Sequence, residues 1–409
     1  MRIFILILVL LWPSFGAAQS RAAVDAQFRG WLEQVVWPRA QQKGIARGTF
    51  DAAFSGVALN WDLPDLVPPG MAPPAQQVQR QSEFGAPGKY FSRGGVDGAT
   101  SVGRQMARQH ATTLAAVERA TGVPGRIILA IWGRESGYGR ADIPHDAFQV
   151  LGTKAFMSTR APYFLDELVA ALQIAQRGAS PRGMKSSWAG AMGQPQFMPS
   201  NYLSYAADGD GDGRADIWNS APDTIASIGT YLARHGWQPG RDWGFEVSLP
   251  SQVSCALEGP DQGRRIADWA AMGVTRVGGK SFPAHELAGE GYLMLPAGRS
   301  GPAFIVTPNF YVLKDYNTSD LYALFVGHVG DRIQYGVGDF AGQWGNVGGQ
   351  LRSDVAAMQR ALIRQGLDTG GDDGLAGFRT RRAIGQWQAA TGRAQTCFPD
   401  AGIVAALTR

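Results

Sequence analysis

Glu135 is the residue with the clearest capacity for acid–base chemistry. It follows an apolar segment, residues 127–132, that is predicted to form a buried helix, and glycines after it can end that helix. Burial and the negative end of the helix dipole both raise the pKa of a carboxyl group. A carboxyl group that stays protonated near neutral pH can act as a general acid. The alternative is that Glu135 forms an ion pair with Arg134 or Arg140.

A second stretch, residues 186–200, is rich in small residues, amides and aromatic rings. Ser187 and Gln196 can donate hydrogen bonds to a polar ligand, and Trp188 or Phe197 can stack on the face of a sugar. The alternative is a loop packed tightly against the core, which composition alone favours slightly.

Aspartates alternate with glycines from position 208 onward. The pattern matches the first half of an EF-hand calcium loop, although Asn219 stands where such a loop ends in glutamate. We expect Asp223, just before the next helix, to close the site, and the ion to serve structure rather than chemistry. A solvated acidic turn is the alternative. The predicted calcium ligands are Asp208, Asp210, Asp212, Arg214 through its carbonyl, and Asp223.

The composition of the 409-residue chain is that of a globular protein, with 45% hydrophobic and 18% charged residues. The formal charge of +4 suits an anionic polymer as partner, and no run of Lys and Arg indicates nucleic acid. Residues 1–18 are predicted to be a cleavable signal peptide, and no later stretch is long enough to span a bilayer. We therefore expect an exported, soluble protein that is not a lipoprotein. Cys255 and Cys397 can pair in an oxidising compartment or remain two buried thiols.

Periodicity predicts a mainly helical (α+β) protein with a small β-rich insertion at about 245–312. The glycine-rich residues 336–348 indicate a linker, and residues 349–409 a three-helix domain whose first helix is capped by Ser353. The predicted helices of the larger part lie at 24–57, 100–121, 164–177, 224–235 and 319–333, and the strands at 246–249, 291–295 and 303–312.

Taken together, these motifs resemble the lytic murein transglycosylase B family. The chain has Ile-Trp-Gly-x-Glu-Ser-x-x-Gly at 131–139, Ser-Trp-Ala-Gly-Ala-Met-Gly-x-x-Gln-Phe-Met-Pro-Ser at 187–200, and Asp-Gly-Asp-Gly at 208–211. Tyr-Asn-x-Ser-x-x-Tyr-Ala-Leu at 316–324 also matches, so the resemblance covers about residues 24–335. Asp373-Gly374 and residues 386–388 resemble the small peptidoglycan-binding helical domain often attached to such enzymes.

The resemblance implies a lysozyme-like catalytic domain at residues 19–335 that cleaves the β-1,4 bond between N-acetylmuramic acid and N-acetylglucosamine in the periplasm. Glu135 would protonate the leaving oxygen and then, ionised, accept the proton of the C6 hydroxyl. The product would be a 1,6-anhydromuramoyl end, and no water would be consumed. The acetamido group of the substrate, rather than a second carboxylate, would stabilise C1.

The resemblance also assigns roles to other residues. Ser187 would orient Glu135, while Gln196, Tyr316 and Asn317 would hold the sugar and its acetamido group. Core packing is the alternative for each aromatic ring, and a local turn for Asn317. Arg160 is followed by alanine where the family usually has a second arginine, and residues 149–155 depart from the usual apolar pattern, so we expect altered subsite preference. The residues expected to line the groove are Tyr90, Arg160, Phe197, Tyr231 and Tyr322.

A muramidase that hydrolyses the same bond, or a non-catalytic scaffold that binds peptidoglycan, is the alternative function. The expected partners are peptidoglycan glycan strands, with cell-wall synthesis or division proteins as a further candidate class. We expect a monomer.

Overall fold

The computed structural model describes residues 20–72, 86–345, 347 and 349–408. They fall into two units, the first formed by residues up to 77 with 143–203, and the second by residues 78–142 with 204–409. The predicted signal peptide lies outside the described residues. Of the helices in the described ranges, none is long and apolar enough to cross a membrane.

Helices dominate both units, as predicted. In chain order they are α1 (Arg21–Trp31), α2 (Trp37–Gln42), α3 (Arg47–Phe54), α4 (Arg93–Gln109), α5 (Ala111–Thr121), α6 (Gly125–Ser136), α7 (Ala147–Met157), α8 (Ala161–Gln176), α9 (Pro199–Tyr205), α10 (Ala221–Arg234), α11 (Ile266–Ala271), α12 (Pro308–Tyr316), α13 (Asp320–Tyr335), α14 (Arg352–Arg364), α15 (Phe378–Ala390) and α16 (Ala401–Thr408).

The strands are short. They are β1 (His145–Asp146), β2 (Lys185–Ser186), β3 (Gly244–Ser248), β4 (Arg264–Arg265), β5 (Thr275–Arg276), β6 (Glu290–Met294), β7 (Pro296–Arg299) and β8 (Ala303–Val306). In the first unit, β1 and β2 form an antiparallel pair. In the second unit, five strands form a sheet in the order β4-β6-β8-β3-β5.

Two predicted helices are interrupted. The expected helix at 24–57 contains a π-helical turn, Leu32–Val36, and is interrupted after Gln42, where Gly44 has a φ of 74° before α3 begins. The expected helix at 100–121 divides into α4 and α5 at His110, whose ring packs edge-on against Trp132 with centroids 5.6 Å apart. That contact is distant in sequence, so local periodicity could not show the break.

The predicted strand at 303–312 is half wrong. β8 ends at Val306, and α12 begins at Pro308 because Thr307 caps it by accepting a hydrogen bond from the N–H of Asn309. The prediction failed because aromatic and β-branched residues continue through the first turns of this helix, where they are buried by tertiary packing.

Helix α6 forms the centre of the second unit. Its apolar residues from Ile127 to Trp132 are buried, and α4, α5, α10 and α13 pack around it. Gly330 lets α13 approach closely, because a β-carbon there would lie 3.2 Å from the carbonyl oxygen of Arg126. Arg126 itself is buried and pairs with Asp242 and Asp331, each at 2.7 Å. These contacts fix both the position and the rotation of the helix that carries Glu135.

The C-terminal helices α14, α15 and α16 share a small apolar core, as expected for a three-helix domain. Leu351, not Ser353, stands at the N-cap of α14, so the predicted cap is wrong by two positions. The domain is fastened to the β-rich insertion by the Cys255–Cys397 disulfide and by a buried ion pair in which Arg381 Nη2 lies 2.6 Å from Glu258 Oε1. The disulfide alternative for the two cysteines is therefore the one that the structure shows.

Candidate active site

Glu135 lies in the last turn of α6, where Gly137 ends the helix with a left-handed conformation, φ 57°. The side chain is half-buried, and Tyr322 Oη donates a hydrogen bond of 2.5 Å to Oε1. Burial is the largest influence and raises the pKa of Glu135, whereas the Tyr322 bond and the charge of Arg134 oppose that rise. Because burial dominates, the balance holds the pKa above its ordinary value, which suits a general acid.

Tyr322 is only 2% exposed, which supports the packing alternative for its ring. It lies in the first turn of α13, after the N-cap Ser319, and points its hydroxyl at Glu135. Burial and the neighbouring negative charge of Glu135 hold the pKa of Tyr322 well above its usual value. Tyr322 therefore keeps its proton and donates it in the hydrogen bond to Glu135.

Two more predicted tyrosines stack behind Tyr322. The ring of Tyr316 lies parallel to that of Tyr322 at a centroid distance of 6.5 Å, and Tyr231 meets Tyr316 edge-on at 4.7 Å. Tyr231 is buried, stacks on His235 at 3.9 Å and donates to the carbonyl of Asp315 at 2.7 Å. The structure thus supports the packing alternative for Tyr231, while Tyr316 remains half-buried beside the catalytic candidate.

Tyr90 contacts Arg134, the residue before Glu135 on α6. Arg134 Nη2 donates to Tyr90 Oη at 2.8 Å, and the guanidinium lies over the Tyr90 ring at 4.6 Å and the Phe325 ring at 5.1 Å. The arginine is held between two aromatic faces, so its charge has a fixed place next to the carboxyl group. The sequence suggested an ion pair between Arg134 and Glu135, but no such ion pair is found within the part of the chain that the structure describes.

Asn317 is exposed and ends α12. Its Oδ1 accepts from the N–H of Ser319 at 3.1 Å, which is the local turn that we kept as the alternative. A role for Asn317 toward a sugar stays a prediction.

Four predicted site residues belong to the first unit. Ser187 Oγ accepts from the N–H groups of Ala189 and Ala191, each at 3.3 Å, and Gln196 Nε2 donates to the carbonyl of Gly193 at 2.9 Å. Gln196 has φ 54°, a left-handed conformation that costs about 1 kcal/mol or more for a residue other than glycine. Such strain, held by the bonded loop around it, is typical of functional sites.

Phe197 and Arg160 differ from each other in exposure. Phe197 is 1% exposed, so its ring packs in the interior, which supports the packing alternative. Arg160 is exposed, and its guanidinium lies 4.3 Å from the centre of the Tyr163 ring. Trp188, which can also stack on the face of a sugar, is 52% exposed and is the more accessible aromatic ring of this loop.

The aspartate loop has the geometry of a cation site. Carboxylate oxygens of Asp208, Asp210 and Asp212 lie within 4.8 Å of one another on the exposed side of the loop. Backbone N–H groups of Gly213 and Gly211 lower the pKa of Asp208, which keeps it ionised. Three converging carboxylates are the donor set that calcium prefers, so the residues fit the ion.

Asp223 is placed differently from the other predicted ligands. It is buried, and its two oxygens accept from the N–H groups of Gly209 at 2.8 Å and Asp216 at 2.7 Å. Burial, the largest influence, raises its pKa. Asp223 lies outside the three-carboxylate cluster and braces the loop, so the structure favours this bracing role over the closing-ligand role that we predicted.

Comparison with known proteins gives consistent results. Residues 27–331 match the family described as Transglycosylase SLT domain, and residues 352–407 match a putative peptidoglycan binding domain. The membrane-bound lytic murein transglycosylase B of Escherichia coli is 35% identical over 214 residues, which make up 52% of this chain and 57% of that protein. The chain therefore matches little more than half the length of this curated relative.

Solved structures are similar over more of the chain. SltB3 from Pseudomonas aeruginosa, in complex with NAG-NAM-pentapeptide, has 34% identity and a TM-score of 0.80, over 95% of this chain and 100% of that chain. The Escherichia coli lytic transglycosylase Slt35, in complex with calcium, has 30% identity and a TM-score of 0.51, over 60% of this chain and 76% of that chain.

Proposed function

Because the chain belongs to the Transglycosylase SLT domain family, we propose that it is a lytic transglycosylase that cleaves peptidoglycan glycan strands. The bond would be the β-1,4 link between N-acetylmuramic acid and N-acetylglucosamine, and the product a 1,6-anhydromuramoyl end. The observation that carries the proposal is the placement of Glu135, a half-buried carboxyl group at the end of α6 with a tyrosine hydroxyl bound to one of its oxygens. Burial at this place raises its pKa.

In the first step, protonated Glu135 donates its proton to the glycosidic oxygen as the bond to C1 breaks. The carboxylate that remains is stabilised by the Tyr322 hydroxyl and by the charge of Arg134. In the second step, this carboxylate accepts the proton of the C6 hydroxyl while that oxygen attacks C1. The carboxyl group is thereby regenerated, and the protons balance without water.

A single carboxyl group suffices for these two reaction steps, whereas hydrolytic glycosidases use two. Among the described residues of the second unit, the groups that act on the charge of Glu135 are Tyr322 and Arg134, and neither is a carboxylate. This arrangement favours the transglycosylase over the muramidase. A non-catalytic scaffold would have no use for a carboxyl group with a raised pKa.

Several finer features belong to the same proposal. We infer export to the periplasm through residues 1–18, a structural calcium ion held by Asp208, Asp210 and Asp212, and retention on the wall by the C-terminal domain. The roles given by resemblance to Ser187, Gln196 and Arg160 in the first unit are also part of it. Substitution of each by alanine, followed by turnover measurements, tests them separately.

Mass analysis of the products released from purified sacculi tests the reaction directly. An anhydro end is lighter by one water molecule than a reducing end, so the muramidase gives a different mass. The Glu135→Gln variant should release no muropeptides while still binding sacculi. Release by that variant would show that Glu135 is not the acid, and reducing ends from the wild type would establish hydrolysis.

A further inference from the structure

The segment that leads to the C-terminal domain is packed against the second unit. We call residues 339–345 the strap. Glu246 on β3 accepts from the N–H groups of Ala341 at 3.0 Å and Gly342 at 2.7 Å, and the N–H of Gly345 donates to the carbonyl of Ser300 at 2.6 Å. The strap therefore has a fixed path along the β-rich insertion, although its sequence predicted a linker.

Two aromatic side chains of the strap enclose Phe91. The ring of Trp344 stacks on Phe91 with centroids 5.2 Å apart and an angle of 12° between the planes, and Phe340 meets Phe91 edge-on at 5.3 Å. Gly88 lies directly beneath Trp344, since a β-carbon there would be 2.8 Å from Trp344 Cβ. The short 3-10 helix Pro87–Phe91 is thus pressed against the strap along its length.

The same 3-10 helix carries Tyr90. The Tyr90 ring packs on Phe325 at 5.9 Å, and its hydroxyl and face hold Arg134, the residue next to Glu135. A continuous set of contacts therefore runs from Trp344 through Phe91 and Tyr90 to Arg134. The chain between residues 72 and 86 is outside the described residues, so within the described part the strap and Phe325 are the main packing partners of this helix.

From these contacts we propose that Trp344 is a positioning residue for the reaction: by clamping Pro87–Phe91, it fixes Tyr90 and so places the Arg134 guanidinium beside Glu135. The proposal rests on the proposed function, because it assigns the strap an effect on the acid–base group of that reaction. It also gives the segment before the wall-binding domain a role in catalysis that a flexible tether would not have.

The effect of losing the clamp has a definite sign. The groups of the second unit that act on Glu135 are Arg134 on α6, Tyr322 on α13 and Tyr316 on α12, while Tyr90 on the 3-10 helix acts on Tyr322 and bonds Arg134. Of these, Arg134 carries the positive charge, and that charge lowers the pKa of Glu135. When Tyr90 no longer fixes the exposed Arg134, this influence weakens and the pKa of Glu135 rises. The alkaline limb of kcat/KM then moves to higher pH, because the acid stays protonated to higher pH.

The test compares kcat/KM against pH for full-length wild type, Trp344→Ala and Trp344→Phe, with purified sacculi as substrate. We expect the alkaline limb of Trp344→Ala to move to higher pH, in the same direction as in Arg134→Met. Trp344→Phe keeps a ring against Phe91 and should stay near the wild type. Val337→Ala changes an exposed residue just before the strap and serves as the matched control.

Two outcomes distinguish failure of the positioning role from failure of the proposed function. If the wild type forms anhydro ends but Trp344→Ala only lowers kcat/KM equally at every pH, the positioning role is refuted and the proposed function stands. If the wild type forms no anhydro ends, the proposed function fails whatever the variants do. Gly88→Ala disturbs the same contact from the opposite side and should shift the limb in the same direction, so an unshifted limb in a folded Gly88→Ala protein also counts against the proposal.

Discussion

Replacing Tyr322 by phenylalanine removes one hydroxyl from a buried ring and leaves the rest of its packing in place. The hydroxyl that is lost donates at 2.5 Å to Glu135 Oε1. Hydrogen bonds to charged groups contribute about 1.5–3 kcal/mol, so a bond made chiefly to the ionised product of the first step accounts for about 10- to 150-fold in rate. We therefore expect kcat for Tyr322→Phe to fall by that order, with little change in thermal stability.

The same change alters the pH dependence, and the sign follows from the structure. The Tyr322 bond lowers the pKa of Glu135, so its removal lets burial raise that pKa further. The alkaline limb of kcat/KM, which reports loss of the protonated acid, should move to higher pH. The loss of activity is then largest below the limb and smaller above it.

Release of anhydromuropeptides from sacculi, measured over a pH series by chromatography with mass detection, provides the assay. Tyr311→Phe is the matched control, because Tyr311 is also a tyrosine of the second unit that packs on aromatic rings but has no contact with Glu135. A Tyr322→Phe enzyme with wild-type kcat, or with its alkaline limb moved to lower pH, would refute the reasoning.

Three further predictions concern stability. Arg381→Met leaves the Glu258 carboxylate buried without its partner and should cost about 3–5 kcal/mol in urea unfolding, part of which the added Glu258→Gln change should restore; a double variant no more stable than the single would contradict this. Loss of the Cys255–Cys397 disulfide by Cys397→Ser should cost about 2–5 kcal/mol of stability and lower the melting temperature. Reductant should lower the melting temperature of the wild type but not of this variant. A wild type whose melting temperature does not respond to reductant would contradict the prediction. A calcium chelator should lower the melting temperature of the wild type but not of Asp208→Asn. An equal melting temperature of the wild type with and without chelator would contradict calcium binding at this loop.

Local patterns predicted the helix around Glu135 well, because its apolar run, its glycine ending and its burial agree with one another. The fold class and the family likewise followed from motifs spread over the chain, and the matches confirm them. The failures occur where tertiary contacts override the local pattern. The predicted long helix is broken at His110, whose ring packs on Trp132, and α12 follows β8 without a change in apolar content.

The contacts of the active site could be predicted even less well from local sequence patterns. Sequence placed Tyr322 among possible groove residues, but nothing in the sequence could show that its hydroxyl meets Glu135 across 187 positions. Nor could composition show that a glycine-rich segment is bonded to Glu246 and stacked on Phe91. Aromatic residues are informative in this respect: Phe340 and Trp344 stand out within a segment otherwise rich in glycine, and such rings would be costly to leave in water.

A carboxyl group that must first donate and then accept a proton cannot be tuned by burial alone. Burial by itself would make Glu135 a stable acid that gives up its proton reluctantly, and a strong nearby cation by itself would make it a permanent base. In this structure the dominant burial is offset by a hydroxyl bond at 2.5 Å and by the charge of Arg134, whose guanidinium lies against two aromatic rings. Tyr322 comes from α13, and Arg134 is held by Tyr90 of Pro87–Phe91, so the acid–base balance of Glu135 depends on elements far from it in sequence. Substitutions that move those elements should therefore change the pH profile before they change the fold.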